Sequence, residues 1–128
     1  AEKGVNTTFA GIIAYDQMCA VLSKCDLVVN SIKKGSAASI INKHGDYASS
    51  GLPVINNQDS LEYRELVDSY HMGLNCNNGD AYDMADKIQF LLDNVEERKF
   101  MGMNARKCAE EKFDRKRSYN ELLECILD

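Results

Sequence analysis

The sequence lacks tryptophan, contains a single proline, and has no apolar stretch close to the roughly 20 residues that a membrane-spanning helix needs. No secretory leader pattern opens it. The lack of a long apolar stretch disfavours a membrane-spanning protein. The first residues, Ala1–Gly4, resemble the middle of a domain, so we expect the natural domain to begin further upstream.

Charge and cysteine content disfavour further classes of protein. The 15 basic and 20 acidic residues give a formal net charge of -5, which disfavours broad electrostatic binding to nucleic acid or anionic lipid. The cysteines form no C-x-x-C pair and have no histidine at metal-ligand spacing, which disfavours a zinc site or a disulfide framework. We interpret them as buried, reduced thiols of a cytoplasmic protein: Cys19, Cys25, Cys76, Cys108 and Cys125.

What is present indicates one domain of the α/β class. The chain has 128 residues, 45% of them hydrophobic, which suffices for one core and not for two. Short apolar runs alternate with segments of helical periodicity, and the end of the chain is helical throughout. This order predicts a Rossmann-like parallel sheet with flanking helices and a C-terminal helical run, as a single domain over residues 1–128. The expected strands are Thr7–Phe9, Asp26–Asn30, Leu52–Asn56 and, at the sheet edge, Met72–Asn77.

Helical periodicity also predicts which side chains face the core. Asp80 is expected to cap the helix that follows it. The predicted inward positions, helix by helix, are Met18, Val21, Leu22 and Cys25; Leu61, Glu65 and Leu66; Met84, Ile88, Leu91 and Leu92; Phe100, Met103 and Cys108; and Tyr119, Leu122, Leu123 and Ile126.

The stretch Ser39–Asn56 organises the rest of the chain. Its pattern predicts a short helix that ends at Gly51 and Pro53 and is followed directly by a buried parallel strand. The preceding loop, Ser31–Ala38, has small and polar side chains, so its backbone N–H groups could approach a phosphate closely. A solvated connection would have the same composition. Because ligands of open parallel sheets bind outside the carboxyl ends of strands, we interpret the segment as one wall of a nucleotide-phosphate site.

A set of short motifs extends over almost the whole chain. They are Val5-Asn6 with Phe9 and Gly11, Asn42-Lys43 with Asp46-Tyr47, Gly51–Ile55, Glu65–Val67, Gly73-Leu74, Gly79–Ala81, Gly102-x-Asn104-Ala105-Arg106, and Phe113. In order and spacing they resemble the C-terminal domain of group 1 (family 4) GT-B glycosyltransferases. The chain is therefore similar to the donor-binding part of such an enzyme, truncated at its N-terminal side.

The resemblance implies a two-Rossmann-domain enzyme that transfers a hexose with retention. Its donor would be a UDP- or GDP-linked sugar, and its acceptor a saccharide or lipid-linked molecule held by the missing N-terminal domain, in polysaccharide or glycolipid synthesis. Asp46 would bind the ribose hydroxyls and Lys43 would lie near the diphosphate or sugar. No metal or other cofactor is implied, and no catalytic residue is assigned. The diphosphate would face the backbone of Gly35, Ser36, Ala37, Ala38 and Ser39.

The chain departs from this family pattern at two positions. The common pattern has a glutamate where this chain has Ala38, and a second glutamate where it has the shorter Asp46. The family's arginine and lysine that neutralise the leaving diphosphate belong upstream of this sequence, so we expect the fragment alone to be inactive. A nucleotide-sugar 2-epimerase of the same architecture and a non-catalytic module that binds a nucleotide or a protein partner stay open as alternatives.

Several remaining residues are given structural or solvent-exposed roles. His44 and His71 are expected to be exposed, and Glu65 to brace the loop after the Val54 strand. The basic cluster from Lys112 to Arg117 is expected to be a solvated helix start, with contact to the inner face of a membrane as the alternative. No nucleic-acid partner is expected, and the expected location is cytoplasmic.

Overall fold

The computed structural model of the protein describes residues 6–36 and 40–127. Helices and strands alternate and are followed by a helical run, which confirms the predicted α/β fold. In chain order the elements are α1 (Tyr15–Leu22), β1 (Val28–Asn30), α2 (Asn42–Ser49), β2 (Val54–Asn56), α3 (Leu61–Tyr70), β3 (Gly73–Asn75), α4 (Ala81–Asp93), α5 (Val95–Cys108), a π-helical turn (Ala109–Phe113) and α6 (Arg115–Leu127).

The sheet is parallel and has the order β1-β2-β3 among the described residues. Val28 lies opposite Val54, and Val54 lies opposite Gly73. The predicted edge strand is confirmed as β3, and β2 is the central strand, with every residue buried. Because side chains alternate along a strand, Val54 and Ile55 point to opposite faces of the sheet.

Each face of the sheet carries its own hydrophobic cluster, as expected for parallel strands covered on both sides. One cluster contains Val28, Val54, Tyr63, Val67, Met72, Ala105 and Cys108. The other contains Ile55, Cys76, Leu91 and Met101. Asp80 caps α4 as predicted, because its Oδ1 accepts hydrogen bonds from the backbone N–H groups of Tyr82 and Asp83 at 3.1 and 3.0 Å.

The predicted strand at Thr7–Phe9 is wrong. Residues 6–14 form neither helix nor strand, and all of them are exposed. Phe9 is 94% exposed. The segment has β-branched and aromatic residues, but it pairs with none of the described strands, and a strand needs such a neighbour to be stable.

The predicted inward faces are confirmed for some helices and shifted for others. In α3 the buried residues are Tyr63 and Val67, whereas Leu61 is exposed. In α4, Leu91 is buried with Met84 and Ile88 packed beside it, but Leu92 is exposed. In α1, Met18 and Leu22 are half-buried, whereas Val21 and, beyond the helix end, Cys25 are exposed. In α6 the helix is confirmed, and the side chains predicted to face inward, Tyr119, Leu122, Leu123 and Ile126, are all exposed.

The phase of α5 is set by a close contact with the end of α2. A Cβ added at Gly102 would lie 2.4 Å from the carbonyl oxygen of Gly51, so only glycine fits there. Gly51 has φ +69°, which confirms its predicted left-handed conformation. With Gly102 turned toward α2, Met101 and Ala105 become buried, and the predicted Phe100 and Met103 become exposed.

The Gly102-x-Asn104-Ala105-Arg106 motif therefore holds two helix ends in place. Arg106 Nη1 donates to the carbonyl oxygen of Ser49, the last residue of α2, at 2.8 Å. Asn104 Nδ2 donates to the carbonyl oxygen of His71, just beyond α3, at 3.1 Å. These bonds satisfy carbonyl groups that a helix end leaves without partners.

The interpretation of all cysteines as buried is wrong for three of them. Cys76 and Cys108 are buried, and burial raises the pKa of Cys108 to about 11. Cys19, Cys25 and Cys125 are exposed, and all five are free thiols.

Among the helices that the structure describes, none is long and apolar enough to cross a bilayer.

We predict that Gly102→Ala destabilises the fold, although alanine favours helices. The added methyl group would meet the Gly51 carbonyl oxygen, and such overpacking lowers the free energy of unfolding by about 1 to 3 kcal/mol. Denaturant unfolding measures this. Met103→Ala, at an exposed neighbouring position, is the control, with an expected change of about 0.5 kcal/mol or less. A Gly102→Ala protein as stable as the parent would contradict the close contact.

Candidate functional site

A row of asparagines joins the carboxyl ends of the three strands. Asn30, Asn56 and Asn75 are the last residues of β1, β2 and β3, and they lie opposite one another in the sheet register. Asn30 Nδ2 donates to Asn56 Oδ1 at 2.8 Å, and Asn56 Nδ2 donates to Asn75 Oδ1 at 2.8 Å. We call these three residues the asparagine row. Its members satisfy one another's buried amide groups across the sheet edge where ligands of such folds bind.

The asparagine row continues into the neighbouring loops and helix. Asn30 Nδ2 also donates to Gln58 Oε1 at 3.0 Å. Asn75 Nδ2 donates to Asp68 Oδ1 at 2.8 Å and to the Arg64 carbonyl oxygen at 3.0 Å. The row thus ties the sheet to the loop after β2 and to α3. Sequence reasoning missed it, although a signal was present: each strand's apolar residues are followed by asparagine, in the triplets VVN, VIN and GLN.

His44 is buried in this network, so its predicted exposure is wrong. Its side chain is 0% exposed and its ring stacks on Tyr63, with ring centroids 3.5 Å apart and planes 7° apart. Its Nδ1 accepts a hydrogen bond from the backbone N–H of Ile41 at 3.1 Å. The neutral ring therefore carries its proton on Nε2, and its side-chain hydrogen bond is with Gln58. Asn30 Nδ2, which is also a donor, lies 3.2 Å from Nε2 without bonding it.

Burial lowers the pKa of His44 to about 4, against a smaller opposing effect of its hydrogen bond with Gln58. The charged imidazolium would lose its hydration in this position, so the ring stays neutral at neutral pH. His44 connects two parts of the site: Nδ1 holds the residue before α2, and the opposite edge of the ring faces the asparagine row.

Two further asparagines hold the loop after β1, which contains the predicted phosphate-facing residues Gly35 and Ser36. Asn57 Oδ1 accepts from the backbone N–H of Ile32 at 2.7 Å. Asn78 Nδ2 donates to the carbonyl oxygens of Ile32 and Asn57 at 3.0 and 2.8 Å. The first residues of this loop are thus fixed against the loops after β2 and β3.

Of the predicted phosphate-facing residues, only two are described. Gly35 and Ser36 lie in an exposed turn, and Gly35 has φ +80°, which favours glycine. Ala37, Ala38 and Ser39 lie outside the described residues. The described part of the helix begins at Asn42, with Ile41 as its N-terminal flanking residue.

The other two predicted site residues, Lys43 and Asp46, both lie on α2. Lys43 is exposed in the first turn of the helix. Asp46 follows one turn later and is half-buried, and its Oδ1 accepts a hydrogen bond from the Tyr15 hydroxyl at 3.1 Å. Within the described part of the chain, the Asp46 carboxylate makes no other hydrogen bond.

Asp46 lies between two cavities. A cleft of about 820 Å³ lies along one face of α2 and the junction with α6. A smaller, mainly apolar cavity of about 210 Å³ lies between α1 and α2. Tyr15, Asp46 and Ser49 line both of them. Lys43 lines neither, whereas the basic Lys112 and Arg115 line the larger one.

The loop after β2 is braced by Arg64 and not by Glu65, which is exposed. Arg64 Nη1 donates to the carbonyl oxygens of Gln58 and Cys76 at 3.2 and 3.1 Å. The sequence-based assignment was therefore one residue away from the group that makes the contacts.

Within residues 6–36 and 40–127, no three histidine, cysteine or acidic side chains are grouped as metal ligands.

Comparisons with known proteins identify the fold and the family. A family model described as glycosyl transferase-like matches residues 1–124. The crystal structure of Anabaena Alr3699/HepE in complex with UDP is similar, with a TM-score of 0.73 and 19% sequence identity over 83% of this chain. This chain spans only 28% of that protein's length. A search of curated protein sequences found no significant match.

We predict that Asn56→Ala is strongly destabilising. The substitution would leave Asn75 Oδ1 without its donor and would take one of its acceptors from Asn30 Nδ2, which keeps Gln58 Oε1. This should lower the free energy of unfolding by about 1 to 3 kcal/mol. Denaturant unfolding measures the loss. Asn77→Ala, at the exposed position just beyond the β3 end, is the control. Equal effects of the two substitutions would argue against an energetic role of the asparagine row.

The lowered pKa of His44 predicts that stability falls as the solution is acidified. Between pH 6.5 and about 4, the unfolded chain binds a proton at His44 and the folded protein does not. The contribution is therefore fully present above pH 6.5 and is lost as the pH falls. From pH 7 to pH 5 it should lower the free energy of unfolding by about 2 kcal/mol.

Unfolding curves at the two pH values, compared with those of His44→Gln, isolate this contribution. The glutamine variant should lack it. His71→Asn, which changes an exposed histidine and leaves His44 in place, is the control. A pH dependence that disappears in His71→Asn and persists in His44→Gln would contradict the assignment to His44.

Proposed function

This chain belongs to the glycosyl transferase-like family, and we propose that it is the donor-binding part of a GT-B glycosyltransferase. Residues 1–128 form one domain in this proposal. The domain binds a nucleotide diphosphate sugar, and the whole enzyme transfers the hexose, with retention, to a saccharide or lipid-linked acceptor. The acceptor is held by a part of the enzyme outside this chain.

One observation carries the proposal: the carboxyl edge of the sheet is built as a rigid base for the loop after β1 and for α2. The asparagine row fixes the strand ends, and Asn57 and Asn78 fix the start of the loop. A parallel sheet binds its ligands at this edge. A buried amide network of this extent restricts the positions of the groups that a ligand would meet.

In the proposed complex each part of this edge has a separate role. The backbone of the loop from Gly35 to Ser39, together with the start of α2, binds the diphosphate, since exposed N–H groups and the helix dipole favour anions. Lys43, exposed on the first turn of α2, offsets the diphosphate charge. Asp46 accepts hydrogen bonds from the ribose diol, and a carboxylate has acceptor sites for both hydroxyls.

The nucleotide is proposed to be UDP or GDP. The similar Anabaena protein was crystallised with UDP, which favours UDP as the first probe for this chain. A non-catalytic nucleotide-binding module would use the same edge. The two are separated by whether the intact protein, once it has bound a sugar nucleotide, also transfers or hydrolyses the sugar.

We predict that Asp46→Ala weakens binding of the cognate nucleoside diphosphate by about 1 to 3 kcal/mol, because a charge-assisted hydrogen-bond pair is lost. Calorimetric titrations with UDP, GDP and their sugars measure this. Asp86→Ala, at an exposed acidic residue of α4, is the control and should bind as the parent does. An intact protein that binds no nucleoside diphosphate would refute the donor-site proposal.

A further inference from the structure

Tyr15 occupies a place in the site that neither the motifs nor the family comparison assigns. It is the first residue of α1, and its hydroxyl donates to Asp46 Oδ1 across the gap to α2. This bond joins residues 31 positions apart in the chain. The Tyr15 side chain is 67% exposed and lines both cavities next to Asp46. A tyrosine this exposed contributes little to the core, so its contact with the carboxylate is its main interaction.

We propose that Tyr15 is a positioning residue for Asp46 and thereby for the ribose diol of the bound nucleotide, an inference that rests on the proposed function. The phenol holds the carboxylate in one rotamer before the ligand arrives. Oδ1 then accepts one hydrogen bond, and none of the described residues donates one to Oδ2. A carboxylate has about four lone-pair sites, so both oxygens still have one free for a vicinal diol.

The physical basis of the effect is pre-organisation. An aspartate side chain that rotates freely must be immobilised when the ligand binds, and this cost reduces affinity. The Tyr15 hydrogen bond removes part of that cost in advance. The carboxylate in turn raises the pKa of Tyr15, so the phenol stays protonated and remains a donor at neutral pH.

Binding measurements distinguish this role from that of a residue that only covers Asp46. If Tyr15 only shielded Asp46 and had to leave before the ligand bound, removing its hydroxyl would strengthen binding. If it positions Asp46, removal weakens binding, and only for ligands that contact the carboxylate. The two hydroxyls of the ribose allow this to be tested without touching the protein core.

The test is a titration of the intact protein and its Tyr15→Phe variant with UDP and with 2′,3′-dideoxy-UDP. Tyr15→Phe should weaken UDP binding by about threefold to tenfold, the loss expected for one hydrogen bond, and leave binding of the dideoxy analogue unchanged. In an Asp46→Ala background, which lacks the acceptor of the Tyr15 hydroxyl, it should have no further effect. Tyr82→Phe, at an exposed tyrosine of α4, is the matched control.

Each result has one meaning. Loss of UDP affinity that is absent for the dideoxy analogue supports the positioning role. Equal loss for both ligands indicates a merely structural residue and overturns the inference, and so does unchanged or tighter UDP binding. If the parent protein binds no UDP or GDP, the donor-site proposal itself fails; if it binds and depends on Asp46 but not on Tyr15, only this inference fails.

Discussion

The buried amide network at the carboxyl edge of the sheet is the constraint on which the site depends. Amide groups removed from water are costly unless every donor and acceptor is matched, so Asn30 and Asn56 can be buried beside the half-buried Asn75 only in the observed register. A shift of one strand by one residue would leave several of these groups without partners. The network therefore specifies the strand alignment in addition to stabilising it, and it does so where the ligand is proposed to bind.

Helix α2 is held at both ends, at its start by residues next to this network and at its end by α5. At its start, His44 connects the Ile41 backbone with Gln58, which bonds the asparagine row, and stacks on Tyr63 of α3. At its end, the Gly51 carbonyl packs against Gly102, and Arg106 binds the last carbonyl oxygen of the helix. Asp46 lies between these two attachments. The side chains proposed to meet the nucleotide are thus placed by contacts that are distant from one another in sequence.

Features that depend only on residues adjacent in sequence were predictable from the sequence. The turn at Gly51, the cap at Asp80 and the alternation of strands and helices follow from local patterns, and the structure confirms them. The burial of His44 was not predictable in this way, because its partners come from β1, α3 and the loop after β2. A polar helix start is normally solvated, and only the fold brings Tyr63 and Gln58 to the ring.

The same distinction explains the shifted helix faces. Periodicity gave α5 a face centred on Phe100 and Met103, but the close approach of Gly102 to Gly51 rotates the helix so that Met101 and Ala105 are buried. The resemblance to a known family located α2 and Asp46 as candidates. The contact of Tyr15 with Asp46 and the bonds between the three asparagines became visible only in the structure.

The most direct test of the donor-site proposal is a crystal structure of the intact protein with bound UDP or GDP. The diphosphate should lie against the backbone between Gly35 and the start of α2, and the ribose hydroxyls should be within hydrogen-bond distance of the Asp46 carboxylate. The asparagine row should be unchanged, since it is a preformed base. A nucleotide bound elsewhere on the domain, with Asp46 and this loop empty, would refute the proposal.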